Sequence, residues 1–300
     1  MARAQNNRIL IVLDGSKRAF EGVTYISNIP SLQEMEVVFL HIFCRVPQTY
    51  LDFESQPLYA QEVRDLRGWA IQEKGDLRDY MEKAKQCLVK AGFSNDAVHI
   101  DIREMEAGIT RDIIEEAKHG RYAAVVAGRR GVSRLSSILL GNVAFKLLER
   151  LSFVPLALVG INPQPGKILI GIDGSESCLK GVDTVSSYFR DNSLDVMLLH
   201  VVRSEDPVVI KEAGERIEPV FEDARRRLVK SGFESSKIAP KIISDVESRA
   251  GAIVEEAQAG GYGTIIVGRR GFSRVHDFFM GRVSNKVVQL AVEQAVWVVG

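Results

Sequence analysis

The chain has 300 residues, of which 46% are hydrophobic and 26% charged, which is typical of a globular protein and excludes a mainly disordered, collagen-like or membrane-spanning chain. Lys and Arg number 39, as do Asp and Glu, so the charge balance does not favour nucleic-acid binding as the main task. At the usual ~100–200 residues per domain, this length predicts two domains.

Neither targeting nor metal signals stand out. Residues 1–7 contain no apolar run typical of a signal peptide, and no apolar stretch approaches the ~20 residues of a membrane helix. We therefore expect a cytoplasmic protein without a membrane partner. Cys44, Cys87 and Cys178 are isolated, and the histidines show no ligand spacing, so neither a disulfide framework nor a metal site is expected.

Short β-branched runs alternate with amphipathic segments along the whole chain, which is typical of βαβ units on a parallel sheet. The predicted strands lie near 8–13, 35–42, 98–103, 122–127 and 155–160, and near 167–172, 194–201, 237–243, 262–267 and 295–299. The predicted helices lie near 17–28, 69–91, 109–119 and 141–151, and near 177–189, 207–231, 249–259 and 281–292.

These elements form two copies of one pattern. The first predicted strand is followed by the turn Asp14-Gly15-Ser16, and the sixth is followed by Asp173-Gly174-Ser175. His41 and His200 close the following strand at the same spacing from these turns. The chain is therefore predicted to consist of a first half (1–160), a proline-containing linker (161–166) and a second half (167–300).

A glycine-framed loop follows the fourth strand of each half. Gly128-Arg129-Arg130-Gly131 is followed nine residues later by Gly141, which opens a helix. Gly268-Arg269-Arg270-Gly271 and Gly281 repeat this arrangement. Glycines allow close approach of backbone amides to phosphate, and a helix amino terminus attracts anions, so a phosphate site is predicted. The alternative is an ordinary turn with solvated arginines.

The surrounding charge supports the phosphate interpretation, because no acidic residue occurs between Glu116 and Glu149. The basic residues in that region are Lys118, Arg121, Arg129, Arg130, Arg134 and Lys146. Asp14 and Asp173 are candidates to accept hydrogen bonds from ribose hydroxyls or an adenine amine. Each could alternatively be the N-cap of the next helix, with Ser16 or Ser175 as the competing cap.

The Asp after the first strand, a second strand ending in Leu-His-Ile or Leu-His-Val, and the G-x2-G-x9-G spacing together resemble the universal stress protein family. The resemblance covers nearly the whole chain, twice. It implies α/β halves of the flavodoxin-like type, each a five-stranded parallel sheet of order 3-2-1-4-5, with the fifth strands paired. It also implies an adenine nucleotide, with ATP expected, ADP or AMP as alternatives, and Mg²⁺ as a companion of the phosphates. The implied binding residues are Asp14, Ile42, Gly128, Arg130, Gly131 and Gly141, and Asp173, Val201, Gly268, Arg270, Gly271 and Gly281.

The chain departs from the family pattern directly after the third glycine. ATP-binding members usually have Ser or Thr there, whereas this chain has Asn142 and Arg282. An amide or a guanidinium can still donate to phosphate, and Ser284 lies two residues beyond Arg282. The expected function is a nucleotide-dependent regulatory or stress-response protein, at most a weak ATPase, with an unidentified protein partner. The alternatives are a scaffold without nucleotide and a slow ATP-hydrolysing enzyme of the same superfamily.

Competing catalytic motifs fail on inspection. The segment 160–167 imitates a phosphate-binding P-loop, but it is one residue too long, is followed by Ile168 and spans the linker. No Ser-His-Asp or Cys-His constellation is supported by its context.

Two further expectations concern the architecture of the chain. The first half carries extra residues at 44–68, interpreted as a lid, a partner-binding surface or a loop folded onto its own domain. The fifth strands of the two halves would be exposed edges unless paired, so they are expected to run antiparallel beside each other within the chain. This pairing would make the chain an intrachain pseudo-dimer, with homodimer formation left open.

Overall fold

The computed structural model describes residues 7–44, 60–129, 140–190, 193–271 and 280–300. The strands of the first half are β1 (Arg8–Val12), β2 (Glu36–Phe43), β3 (Val98–Glu104), β4 (Ala124–Gly128) and β5 (Leu156–Val159). Its helices are α1 (Lys17–Ser27), α2 (Ala60–Lys90), α3 (Ile109–His119) and α4 (Asn142–Arg150).

The second half repeats this order. Its strands are β6 (Lys167–Gly171), β7 (Asp195–Val201), β8 (Ile238–Ile243), β9 (Thr264–Gly268) and β10 (Ala295–Val299). Its helices are α5 (Glu176–Tyr188), α6 (Pro207–Lys230), α7 (Arg249–Gly260) and α8 (Arg282–Leu290). Residues 160–166, between β5 and β6, contain neither helix nor strand. The domain boundaries proposed from the sequence stay a prediction.

The ten strands of the described residues form one sheet, in the order β3-β2-β1-β4-β5-β10-β9-β6-β7-β8. Within each half the strands are parallel, and the order 3-2-1-4-5 predicted for each is confirmed. The two halves meet where β5 and β10 pair antiparallel, with Val159 opposite Ala295 and Leu156 opposite Val298. The expected pairing of the fifth strands is therefore confirmed.

Helices cover both faces of this sheet. One hydrophobic cluster lies under α1, α2, α5 and α6, and a second lies under α3, α4, α7 and α8. Each cluster contains residues of both halves, so neither core stops at the β5–β10 pairing. The strands at this pairing are buried on both faces, which explains their continuous apolar sequences Leu-Ala-Leu-Val and Ala-Val-Trp-Val-Val.

The predicted start of α2 near residue 69 is wrong, because the helix begins at Ala60 and passes through Gly68. A single glycine costs a helix interior only ~1 kcal/mol and does not end it. The side chain of Gln61 donates to Asp65 at 2.9 Å, one helical turn later, which supports the added turns. Of the extra segment 44–68, residues 45–59 lie outside the described residues. Their interpretation as a lid, a partner-binding surface or a folded loop therefore stays a prediction.

A buried polar network crosses from one half to the other beside the central strands. Trp297 of β10 lies opposite Ala157 of β5, which leaves room for its ring. The indole Nε1 of Trp297 donates to the hydroxyl of Tyr25 at 3.0 Å, and that hydroxyl lies 2.8 Å from Oγ1 of Thr264. Burial raises the pKa of Tyr25 above its ordinary value, so the residue remains a neutral hydrogen-bonding group.

Every helix in the described part of the chain is too short or too polar to cross a membrane.

The network predicts a marked loss of stability when the hydroxyl of Tyr25 is removed. Tyr25→Phe leaves Trp297 Nε1 and Thr264 Oγ1 without this buried partner, and the expected cost is roughly 1–3 kcal/mol in the free energy of unfolding. Urea unfolding followed by circular dichroism measures it. Ser187→Ala, which removes a surface hydrogen bond within α5, is the control and should change stability by less than about 0.5 kcal/mol. Equal effects of the two substitutions would contradict the assignment.

Candidate functional site

The candidate site of each half lies at the carboxyl ends of two neighbouring strands. β1 pairs with β4, and β6 pairs with β9, both in parallel. The turn after β1 and the loop after β4 therefore emerge at the same edge of the sheet, and so do their counterparts in the second half. This edge, where the strand order reverses direction, is where open α/β sheets bind ligands.

Asp14 adopts a tight turn with the two residues that follow it. Its Oδ1 accepts a hydrogen bond from the amide of Ser16 at 3.0 Å. Gly15, between them, has a φ of +82°, which glycine adopts without strain. Ser16 caps α1, because its Oγ accepts from the amide of Ala19 at 3.0 Å. The alternative that Asp14 is the N-cap is wrong.

Asp173 repeats the arrangement in a less exposed setting. Its Oδ1 accepts from both the amide and the hydroxyl of Ser175, at 2.9 and 2.6 Å. Ser175 is again the N-cap, here of α5, and Gly174 has a φ of +81°. Both aspartates are thus held by their own turns at the carboxyl ends of β1 and β6, and neither is the N-cap of the next helix.

Two histidines hold the strand ends from which these turns begin. His41 Nδ1 lies 2.8 Å from the carbonyl oxygen of Leu13, and His200 Nδ1 lies 2.7 Å from that of Ile172. A carbonyl can only accept, so Nδ1 carries the hydrogen in both rings. This positioning role was not predicted. Its only sequence signal was the equal spacing of the two histidines from the Asp-Gly-Ser turns.

In the first half, a tyrosine from α2 supports the same turn. The hydroxyl of Tyr80 donates to the carbonyl of Ser16 at 2.9 Å. Burial, followed by the nearby carboxylate of Asp14, raises the pKa of Tyr80 above its ordinary value. The residue therefore stays a neutral donor. Its hydrogen bond to Ser16 connects α2 to the beginning of α1.

The first glycine of each loop has a packing role. An ideal Cβ at Gly128 would lie 3.1 Å from the backbone of Ala19 and Arg18. At Gly268 it would lie 2.6 Å from Ser177 Oγ and 2.8 Å from the amide of Cys178. These glycines let the first turn of α1 or α5 lie close against the end of β4 or β9. A Cβ would be a tight contact at Gly128 and would force a shift at Gly268.

The second glycine of the second half lies directly against the Asp turn. An ideal Cβ at Gly271 would be 2.6 Å from Oδ2 of Asp173. The neighbouring Arg270 is exposed, and its carbonyl accepts a hydrogen bond from the hydroxyl of Ser177. Asp173, Arg270 and Gly271 are thus brought together. The predicted residues Arg130 and Gly131 of the first half lie outside the described residues.

The third glycine closes each loop and begins a helix. The amides of Gly141 and Gly281 donate to the carbonyls of Arg129 and Arg269, both at 2.8 Å. Each glycine occupies the N-cap position and has no side chain with which to cap α4 or α8. Such a helix amino terminus is suited to an anion.

The residues after the third glycine differ in their surroundings. Asn142 and Arg282 are the exposed first residues of α4 and α8. Ser284 is buried, and its hydroxyl donates to the carbonyl of Gly268 at 2.6 Å. The Ser284 hydroxyl therefore donates its one hydrogen to the start of the loop. Its oxygen can still accept a hydrogen bond, but the hydroxyl cannot donate to a phosphate in this arrangement.

The residues expected to face adenine lie at the carboxyl end of the second strand of each half. Ile42 and Val201 are both buried, and their backbones lie at the same edge as the Asp turns. The carbonyl of Val201 accepts from Nε of Arg249 at 3.2 Å, whereas Ile109 occupies the matching first position of α3. The two halves therefore differ at this point.

The loop arginines Arg129 and Arg269 do not face this edge of the sheet. Both are buried, and their guanidinium groups donate to backbone carbonyls at the ends of α8 and α4, in the opposite half. The expectation that Arg129 contributes charge to the phosphate site is therefore wrong. Such a contact depends on the packing of the two halves and leaves no local pattern in the sequence.

Comparison with known proteins agrees with this fold. The family model described as the universal stress protein family matches residues 5–159 and again residues 165–299. This chain belongs to the universal stress protein family. It is a tandem member, because the two matches account for almost the whole chain.

Individual relatives are distant. Universal stress protein YxiE of Bacillus subtilis is 27% identical over 137 residues, which cover 42% of this chain and 93% of that protein. The crystal structure of a universal stress protein from Archaeoglobus fulgidus covers 98% of both chains, with 19% identity and a TM-score of 0.64. A universal stress protein crystallised with cAMP matches 45% of this chain, with 20% identity and a TM-score of 0.37.

The packing role of the first glycine gives a testable prediction. Gly268→Ala places a Cβ against the backbone amide of Cys178, and we expect it to destabilise the protein by about 1–3 kcal/mol. Gly166→Ala is the matched control, since its Cβ would meet no atom within 4 Å and stability should change by less than about 0.5 kcal/mol. Thermal and urea unfolding measure both. A neutral Gly268→Ala would show that this glycine is not required for packing.

Proposed function

We propose that this universal stress protein binds ATP at two sites, one in each half, and acts as a nucleotide-dependent regulatory protein with little or no turnover. The observation that carries the proposal is the approach of Gly271 to the carboxylate of Asp173. It brings a phosphate-type loop and a ribose-type acceptor side by side at the edge of the sheet, within the span of one nucleotide.

Each part of the nucleotide has a suitable group in this arrangement. Asp14 and Asp173 would accept hydrogen bonds from the ribose hydroxyls, while the backbones of Ile42 and Val201 would face adenine. The phosphates would lie at the amino termini of α4 and α8, where the amides of the first turn and the helix dipole favour negative charge. Asn142 and Arg282 would replace the usual hydroxyl as side-chain donors.

The remaining predicted residues would shape the loops. Arg130 and Arg270 would add positive charge beside the phosphates, with Gly131 and Gly271 allowing close approach of the backbone. Gly128, Gly141, Gly268 and Gly281 would act through loop geometry, and Ser284 would hold the second loop from within. Mg²⁺, if bound with ATP, would be held mainly by phosphate oxygens and water, because no described residues form a carboxylate, His or Cys cluster for it.

The two sites should differ in affinity. The first turn of α1 begins with Lys17 and Arg18 and contains no acid, whereas α5 begins with Glu176 and Ser177. A triphosphate carries several negative charges, so it gains from the lysine and arginine and loses from the glutamate. The Glu176 charge is partly offset by Lys180 at 3.0 Å. We therefore propose tighter ATP binding in the first half.

A scaffold that binds no nucleotide is the second candidate. It is favoured by the absence of Ser or Thr after the third glycine and by the engagement of the Ser284 hydroxyl with the carbonyl of Gly268. In that case the glycines would serve packing and loop closure alone, as Gly128 and Gly268 already do.

Calorimetric titration of the purified chain with ATP, ADP, AMP and cAMP separates these functions. Gly131→Val and Gly271→Val each place a branched side chain in one loop, and the second would also meet Asp173. Losing two phosphate contacts at ~1.5–3 kcal/mol each should weaken ATP binding at the altered site by at least about a hundredfold. The double variant should bind no ATP and still unfold cooperatively.

Gly166→Ala is the control for these variants, because it alters a glycine in open space and should bind ATP like the parent. Parent-like ATP binding by the double variant would show that the loops do not hold phosphate. An absence of binding to the parent would favour the scaffold.

A further inference from the structure

Arg129 connects the first half to the end of a helix in the second half. It directly follows β4, and its guanidinium donates to the carbonyls of Val288, Ala291 and, at 2.9 Å, Gln289. These carbonyls belong to the last turn of α8 and to the residue that follows it. Arg129 is only 5% exposed, so these contacts are made away from water.

Arg269 makes the reciprocal connection. Its guanidinium donates to the carbonyls of Leu148 at 2.5 Å, Glu149 at 2.7 Å and Leu151 at 2.7 Å, at the end of α4. It is 3% exposed, and burial, followed by the charge of Arg270, lowers the pKa of Arg269 to about 10. The group therefore still carries its positive charge near neutral pH.

The chemistry of these contacts explains why arginine is used. The last carbonyls of a helix lack partners within the helix and form the negative end of its dipole. A guanidinium is planar and has five donors, so one side chain can satisfy several of these carbonyls at once. Lysine has the charge without the planar array of donors.

The backbones of the same two arginines hold the beginnings of these helices. The carbonyl of Arg129 accepts from the amide of Gly141, the N-cap of α4, and the carbonyl of Arg269 accepts from the amide of Gly281, the N-cap of α8. Each arginine thus contacts the start of one helix and the end of the other. The contacts form a closed ring that runs through Arg129, α4, Arg269 and α8.

We infer that Arg129 and Arg269 are positioning residues that couple the two nucleotide sites, so that ATP bound in one half strengthens binding in the other. The inference rests on the proposed function. Phosphate at the start of α4 would hold that helix in its binding position, and the ring of contacts extends this restraint to the start of α8. The second nucleotide then finds its helix already held, which gives positive coupling.

Calorimetry can measure this coupling as a ratio of two dissociation constants. One is the Kd of the site that fills second in the parent, and the other is the Kd of that same site when the first is disabled by Gly131→Val or Gly271→Val. We expect the disabled variant to bind at least about fivefold more weakly, at the lower end of usual allosteric couplings.

The arginines are tested by repeating the measurement in their variants. Arg129→Gln removes the guanidinium, and Arg129→Lys keeps the charge and is the second choice should the first fail to fold. Both should reduce the ratio to about one while still binding ATP. Arg150→Gln is the matched control, because this exposed arginine lies at the end of the same α4 and should leave the ratio unchanged.

The possible failures are distinguishable. Two bound nucleotides with a ratio near one in the parent would overturn the coupling and leave the proposed function standing. A ratio that persists in both Arg129 variants would overturn the role of the arginine. A parent that binds no nucleotide would overturn both the coupling and the proposed function. A parent that binds it in one half only would overturn the coupling and the two-site part of the proposed function.

Discussion

The antiparallel pairing of β5 with β10 is the interaction on which the rest of the structure depends. Each half alone would leave a buried-type apolar strand as an open edge, and such edges recruit other strands. Pairing within the chain satisfies both edges and joins two parallel sheets into one. It also brings the ends of α4 and α8 within reach of Arg269 and Arg129, so the contacts between the halves follow from this single pairing.

The glycine motif serves folding and binding together, and its glycines are not equivalent. Gly128 and Gly268 lie where a helix packs closely against a strand end, and Gly141 and Gly281 close the loop through their amides. In the second half, Gly271 approaches the Asp turn directly, beside Asp173. A motif match therefore indicates a loop of this shape, and the chemistry of the loop depends on the neighbouring residues.

The sequence predicted the fold well, because the fold depends on local patterns that occur twice. Apolar β-branched runs and Asp-Gly-Ser turns indicated the strands, and the burial of an otherwise open edge indicated the β5–β10 pairing. The early start of α2 at Ala60 was missed, since a charged segment containing Gly68 has no clear boundary signal. The roles of Arg129, Arg269 and Ser284 were missed because each bonds to a carbonyl distant in sequence, which periodicity does not encode.

Hydrogen exchange with and without ATP tests most directly whether this single continuous sheet carries two nucleotide sites. The account predicts slower exchange at the first amides of both α4 and α8 when ATP is present at saturating concentration, because these amides would bind phosphate. The amides of the paired strands β5 and β10 should exchange slowly in either condition. Unchanged exchange at both helix starts under saturating ATP would contradict the account.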